Sequence, residues 1–235
     1  MNEARFFESL WWDVRYALHA MRKNPLFSTA VVLTIALGIG CNTAMFSVIH
    51  AVLLKPLAYQ EPERVLILSR GATPVRYDEM KATGQSFTRL GAYAGALEEM
   101  ALSGVGEPEI LRGARITANF LQVLGISPLK GGGFLQQDDA SGASSAALIS
   151  FELWQGRFNG DPQIVGKSIT LAGEPHIIRG VMPSGFQFPF PKLDIWLNKA
   201  LDNPSIPVQS RPLSPVLSLF GRLKPGVTIQ QANAE

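Results

Sequence analysis

From Leu26 to Leu54 the chain reads LFSTAVVLTIALGIGCNTAMFSVIHAVLL, and no charged residue falls between Lys23 and Lys55. About 20 apolar residues cross the roughly 30 Å hydrocarbon core as a helix, so residues 25–55 are expected to form a transmembrane helix. A cleaved signal peptide would carry a shorter apolar region, about 7–15 residues, ending at a small-residue site. Here Met45, Phe46, Val48, Ile49, Val52 and Leu53 continue the run beyond the small cluster at 38–44, which argues for an uncleaved anchor and against a lipoprotein site at Gly40-Cys41. In residues 1–24, Phe7, Leu10, Trp11, Val14, Leu18 and Met21 recur at three- and four-residue spacing, the pattern of an amphipathic helix lying on a membrane face. Asn24-Pro25 breaks that pattern before the span.

Past the span the hydrophobic period changes repeatedly. Residues 64–69 (RVLILS) read as a buried strand, and Tyr77, Met80, Phe87 and Leu90 fall near one face of a following helix that Gly84 weakens. Alternation predicts a strand over 109–117, a short helix over 119–124 stopped by Gly125, and a strand over 146–150 whose Ser150 caps a helix through Phe158. Residues 167–171 and 176–181 flank Ala172-Gly173-Glu174-Pro175 as a hairpin, and 194–197 and 216–223 supply later strands around a Pro-rich loop at 203–215. The expected architecture is therefore one transmembrane α-helix plus an α+β exported domain over 56–227, in two lobes of mixed short strands and helices that divide near the Gly-rich loop at 131–145. Thr228 with Gln231 has the form of a capping box, so 228–235 are expected to begin a helix and the chain to be the front part of a longer protein.

Charge orients this arrangement. Arg15, Arg22 and Lys23 precede the span, whereas Lys55 and Arg64 follow it with Glu61 and Glu63 between them, so the positive-inside bias places the N-terminus in the cytoplasm and the larger domain outside. Sixteen basic and sixteen acidic residues lie beyond Lys55, so that domain has no basic field to track phosphates and nucleic acid is not expected as a partner. The single cysteine, Cys41, sits in the span, and the exported domain must be held by burial alone.

Within the span, Ala36, Gly40 and Ala44 recur at four-residue intervals and build a small-residue ridge that admits another helix, with Asn42 at mid-depth on the same stretch. No pattern in the chain supports catalysis. Gly166-Lys167-Ser168 lacks the upstream glycine of a phosphate loop, with Asp161 in its place and a strand rather than a helix following. His19, His50 and His176 are dispersed, no G-x-S-x-G occurs, and a serine with His176 and Asp194 would rest on common residue types alone. Asp138-Asp139 reads as a solvated turn, and Phe186, Phe188 and Phe190 as rings packed on the core from a Pro-stiffened loop.

The segment order resembles a known family. DVRYAL at 13–18, Asn24-Pro25, LTIALGIGCNTAMFSV at 33–48 and LLKPL at 53–57 resemble the start of MacB/FtsX-like ABC transporter permeases, in their duplicated-permease branch. GARITANF at 113–120, WQGRFNGDPQIVG at 154–166, and Gly180-Val181-Met182-Pro183 with Gly185-Phe186 resemble the MacB-type periplasmic core domain. The resemblance implies a non-enzymatic permease subunit in a bacterial inner membrane, coupling a cytoplasmic ATPase to a periplasmic domain for export or mechanotransmission. It implies four partners: the lipid bilayer, a separate ABC ATPase, a second permease copy and a periplasmic protein. It implies no cofactor of its own, since ATP belongs to the separate subunit. Ala36, Gly40, Asn42 and Ala44 then become helix-packing candidates, and Trp11, Arg15 and Arg22 candidates for the ATPase-side interface. The competing readings are a single-span periplasmic binding or scaffold module without an ATPase, and an anchored enzyme with a cleft of convergent polar groups.

Overall fold

A computed structural model describes residues 12, 15, 19, 21–49 and 61–233. The chain forms two compact units, Met1–Pro56 and Leu57–Glu235.

In the first unit, helix α1 (Pro25–Ile49) begins with proline at its first position, where the missing N–H costs no hydrogen bond. The Asn24 carbonyl accepts the Ser28 N–H at 3.1 Å, and Asn24 itself is the non-helical residue between helical 21–23 and α1. Residues Pro25–Ser47 are long and apolar enough to cross a membrane, and none of that window is buried within the protein. Leu26, Leu33 and Leu37 are all exposed, and a helix apolar on every side needs a non-aqueous surrounding. Thr34 returns its hydroxyl to the Ala30 carbonyl at 2.8 Å, which satisfies a polar group without leaving the helix. Phe7, Leu10, Trp11, Val14 and Leu18 of the amphipathic pattern, and residues 50–55 of the expected span, lie outside the described residues.

The second unit is built on two sheets. Strands β1 (Val65–Ala72), β2 (Phe87–Ala94) and β10 (Leu217–Leu223) form a three-stranded antiparallel sheet in the order β1-β10-β2. Helix α2 (Pro74–Thr83), capped by Thr73 Oγ1 on the Arg76 N–H at 3.1 Å, buries Tyr77 in a core with Phe87, Leu90, Leu217 and Leu219. The remaining strands are β3 (Glu98–Ser103), β4 (Glu109–Arg115), β5 (Lys130–Gly131), β6 (Ala146–Ile149), β7 (Ser168–Leu171), β8 (Glu174–Val181) and β9 (Ile195–Leu197). Their order is β5-β8-β6-β9-β4-β3-β7, and β7 pairs again with β8. Six of the seven therefore close into a barrel, with β5 added outside on the second half of β8. Closure gives each of the six a neighbour on both sides, although β3 meets β7 only at Leu102 and Ser103 and β4 meets β9 only at Gly113, Ala114 and Arg115.

The short helices α3 (Phe120–Leu124) and α4 (Phe151–Arg157) follow β4 and β6, and α3 packs between the two sheets. α3 ends at Gly125 in the left-handed region (φ 68°), and α4 is capped by Ser150 Oγ on the Leu153 N–H at 3.0 Å. Phe120 and Val123 of α3 join Tyr93 and Phe220 of the small sheet and Leu148 and Trp196 of the barrel in one core. A β-bridge between Tyr93 and Ile116 also joins the two sheets. Helix α5 (Ile229–Asn233) opens with the expected capping box: Thr228 N–H donates to Gln231 Oε1 at 2.8 Å and Gln231 N–H to Thr228 Oγ1 at 3.3 Å.

Four expectations change. β1 is an edge strand with Ile67 half exposed, not a buried one. Phe87 and Leu90 belong to β2 rather than to the helix of Tyr77 and Met80, because the backbone turns extended at Gly84 (φ −62°, ψ 118°). The hairpin turn is only Ala172-Gly173, both left-handed at φ 48° and 85°, so Glu174 and Pro175 lie in β8. The lobes do not divide at 131–145, since strands on both sides of that loop share the barrel while the small sheet draws on both ends of the domain.

Candidate functional site

Side chains alternate across a strand, so each barrel strand sends every second residue inward. Met100 and Leu102 of β3, Leu111 of β4, Ile169 of β7 and Ile178 of β8 fill the interior. One end is closed by Leu153 and Trp154 of α4, which follows β6 where Ile149 pairs with Val181 at the close of β8. Toward the other end, where β8 begins, the same inward faces carry Glu98, Arg115, Glu174 and His176. These four line a cleft of about 420 Å³, with Glu99 on its rim and Pro204-Ser205 contributed by the loop before β10. An apolar barrel thus ends in a polar mouth.

The charges there are ordered. Arg115 Nε donates to Glu98 Oε1 at 2.9 Å and Oε2 at 3.2 Å, and Arg115 Nη1 reaches the Asn198 carbonyl at 3.4 Å. Arg115 is only 7% exposed, and a charge so buried needs this partner. His176 is 4% exposed, and its Nδ1 lies 3.0 Å from the Glu174 carbonyl. A carbonyl oxygen only accepts, so Nδ1 carries the proton and the neutral ring has its lone pair on Nε2. Burial holds this imidazole below its ordinary 6.5, and nearby Arg115 adds to the effect while the Glu174 contact opposes it.

A second polar cluster pins the 131–145 loop. Asp138 is buried, accepting the Leu135 N–H at 2.8 Å and Arg179 Nη2 at 3.1 Å, so it is not the solvated turn residue expected. Asp139 Oδ2 accepts the Ala118 N–H at 2.8 Å, while its Oδ1 is buried without a partner. Burial pushes this carboxyl up to about 6, against the pull of the Ala118 bond and Lys81. Asn198 completes the cluster, accepting the Ala146 N–H at 3.0 Å and donating to the Asp138 and Ser144 carbonyls at 2.9 and 3.0 Å. Neither aspartate was marked by any local motif; the only sequence signal for the barrel mouth is that inward positions of alternating strands hold charge.

The other candidates separate. Lys167 pairs with Asp161 and leads into β7, a strand and not a phosphate-binding helix. Asp194 Oδ2 accepts the Arg112 N–H at 2.8 Å, which ties β9 to β4 and occupies the carboxylate that a triad with His176 would need. Among the described residues no group of three His, Cys, Asp or Glu side chains is placed to hold a metal ion. Phe186, Phe188 and Phe190 pack on the core, with Phe188 5.5 Å from the Phe120 ring and Phe186 5.4 Å from Trp196. Ala36, Gly40, Asn42 and Ala44 are exposed on α1, but Asn42 falls about 200° around the helix from Gly40, away from the small-residue ridge. Arg15 and Arg22 are exposed, with the Arg15 guanidinium 5.8 Å from the Trp12 ring centre; Trp11 lies outside the described residues.

Comparison with known proteins places the chain. The MacB-like periplasmic core domain family matches residues 28–235. The periplasmic region of MacB from Actinobacillus actinomycetemcomitans is similar at a TM-score of 0.55 and 12% identity, over 71% of this chain and 71% of that one. The extracellular domain of the noncanonic ABC-type transporter YknZ from Gram-positive bacteria gives 0.51 and 14%, over 72% and 86%. A domain of a protein described as a permease from Porphyromonas gingivalis gives 0.53 and 17%, over 73% and 80%. At these identities the likeness is one of fold. No curated protein matches the sequence.

Proposed function

This chain belongs to the MacB-like periplasmic core domain family, and from that premise we propose that it works as a permease subunit of a MacB-like ABC transporter. In this reading residues 1–24 lie on the cytoplasmic face of the inner membrane, 25–55 span it, 56–227 form the periplasmic core and 228–235 open the next helix. A separate ABC ATPase supplies the nucleotide chemistry, and its motion passes through α1 to the periplasmic domain, for export or mechanotransmission. The reading rests on one observation: the family match runs unbroken from within a helix of membrane-spanning length through the whole core domain.

Two surfaces of the first unit acquire roles. Trp11, Arg15 and Arg22 form the ATPase-side interface, where exposed guanidinium groups meet acidic groups of the partner. Ala36, Gly40 and Ala44 form the face for a second permease copy or half, since small side chains let helix backbones approach. Asn42, on the other side of the helix, then serves a different neighbour, because an amide facing lipid is costly.

The test is purification of the protein from its native membrane in mild detergent. An ATP-binding subunit should copurify, and Arg15→Glu with Arg22→Glu should abolish its recovery while the chain stays in the membrane fraction. Recovery without any ATP-binding subunit would return the reading to a single-span scaffold module. A phosphatase reporter fused after residue 235 should be active only outside the cytoplasm.

A further inference from the structure

The barrel mouth has a polarity that its own pairing does not exhaust. Arg115 is neutralised by Glu98, which leaves Glu99 and Glu174 on the cleft without an ion pair among the described residues. Lys199, the other nearby cation, donates instead to Ser145 Oγ at 3.1 Å. His176 is the decisive group. Its Nδ1 is spent on the Glu174 carbonyl, Nε2 has no hydrogen-bond partner among the described residues, and the ring lines the cleft although it is 4% exposed. A polar atom held in so buried a ring and left open to a cleft is a ready acceptor.

We propose that the barrel mouth binds an organic cation, an ammonium or guanidinium group whose N–H donors meet His176 Nε2 and the carboxylates of Glu99 and Glu174. The groups left without a counter-charge are carboxylates and the open ring nitrogen is an acceptor, so the complement is a donor with positive charge. A bare metal ion fits less well, because no three ligating side chains converge closely enough to hold one among the described residues. The cleft, about 420 Å³, is within the range of small-ligand sites, and barrel mouths are a recurrent place for them. The apolar floor formed by Met100 and Leu171 suits the methylene stem that carries such a group. The cation arrives either as a free small molecule or as a Lys or Arg side chain of a periplasmic partner. This inference stands on the cleft alone and does not depend on an ATPase.

The full-length protein in detergent is titrated while the nitrogen NMR resonance of His176 Nε2 is followed. The probes are agmatine, the capped tripeptide acetyl-Gly-Lys-Gly-amide and zinc chloride. Saturable movement of that resonance with agmatine or the tripeptide is the expected result, and tighter binding of one over the other separates a free cation from a partner's side chain. Glu99→Gln and Glu174→Gln, both at exposed positions, should each weaken the binding about tenfold without moving the melting temperature. The proposal is overturned if neither cation gives a saturable shift at millimolar concentration, if both variants bind as tightly as the parent, or if zinc saturates the site below either cation.

Discussion

Asp139 holds a carboxyl in surroundings that suit its neutral form. One oxygen takes the Ala118 N–H, the other is buried without a partner, and burial raises the group from 3.8 to about 6. A carboxyl that binds its proton more tightly when folded contributes most to stability below about pH 4, and this contribution is lost as the pH rises toward 6. Asp139→Asn keeps an acceptor for Ala118 and removes the charge. It should raise stability at pH 7.5 by up to about 3 kcal/mol and have little effect at pH 4, as thermal melting at the two values will show. His176 works in the opposite sense: held below 6.5 by burial, it contributes fully above that value and loses its contribution as the pH falls. Local sequence read Asp138-Asp139 as a solvated turn because the groups that bury it are remote, with Ala118 and Arg179 separated from their aspartates by 21 and 41 residues.

Among the elements, β8 carries the most partners. β6 pairs along one edge, while the other edge is divided between β7 and β5. At the β5 crossing Gly180 faces backbone so closely that a Cβ would lie 2.6 Å from the Gly132 oxygen and 2.8 Å from that of Lys130. Neither backbone oxygen can rotate away, so Gly180→Ala should detach β5 and destabilise the domain by about 1–3 kcal/mol, read from chemical denaturation. The regular elements with local signals were legible: α3 with its terminal glycine, α4 with its serine cap and the β7–β8 hairpin with its two left-handed residues. β2 and β3 were not. β2 is buried at five consecutive positions, Leu90 to Ala94, because it packs on both faces, so no alternation marks it. In β3 the polar Glu98 faces inward, where its charge is met by Arg115 of the neighbouring strand β4.

At the scale of the molecule, the two units differ in what they need from their surroundings. Among the described residues the three buried clusters lie within Leu57–Glu235, and α1 buries none of its apolar window. A chain beginning at residue 57 should therefore stay in the soluble fraction and unfold in one cooperative transition that reductant does not shift, since the single cysteine is Cys41. The full chain should resist extraction by alkaline carbonate. Either fragment precipitation or carbonate release would contradict this division. What the sequence determined alone is the membrane-length helix, the α+β character and the family, because each rests on local composition, hydrophobic period or contiguous motifs. The tertiary structure alone decided that six strands close on themselves, that the small sheet joins the two ends of the domain, and that Glu98, Arg115, Glu174 and His176 meet at one mouth. Strand pairing is a long-range choice, and the residues it brings together carry no mark of one another along the chain.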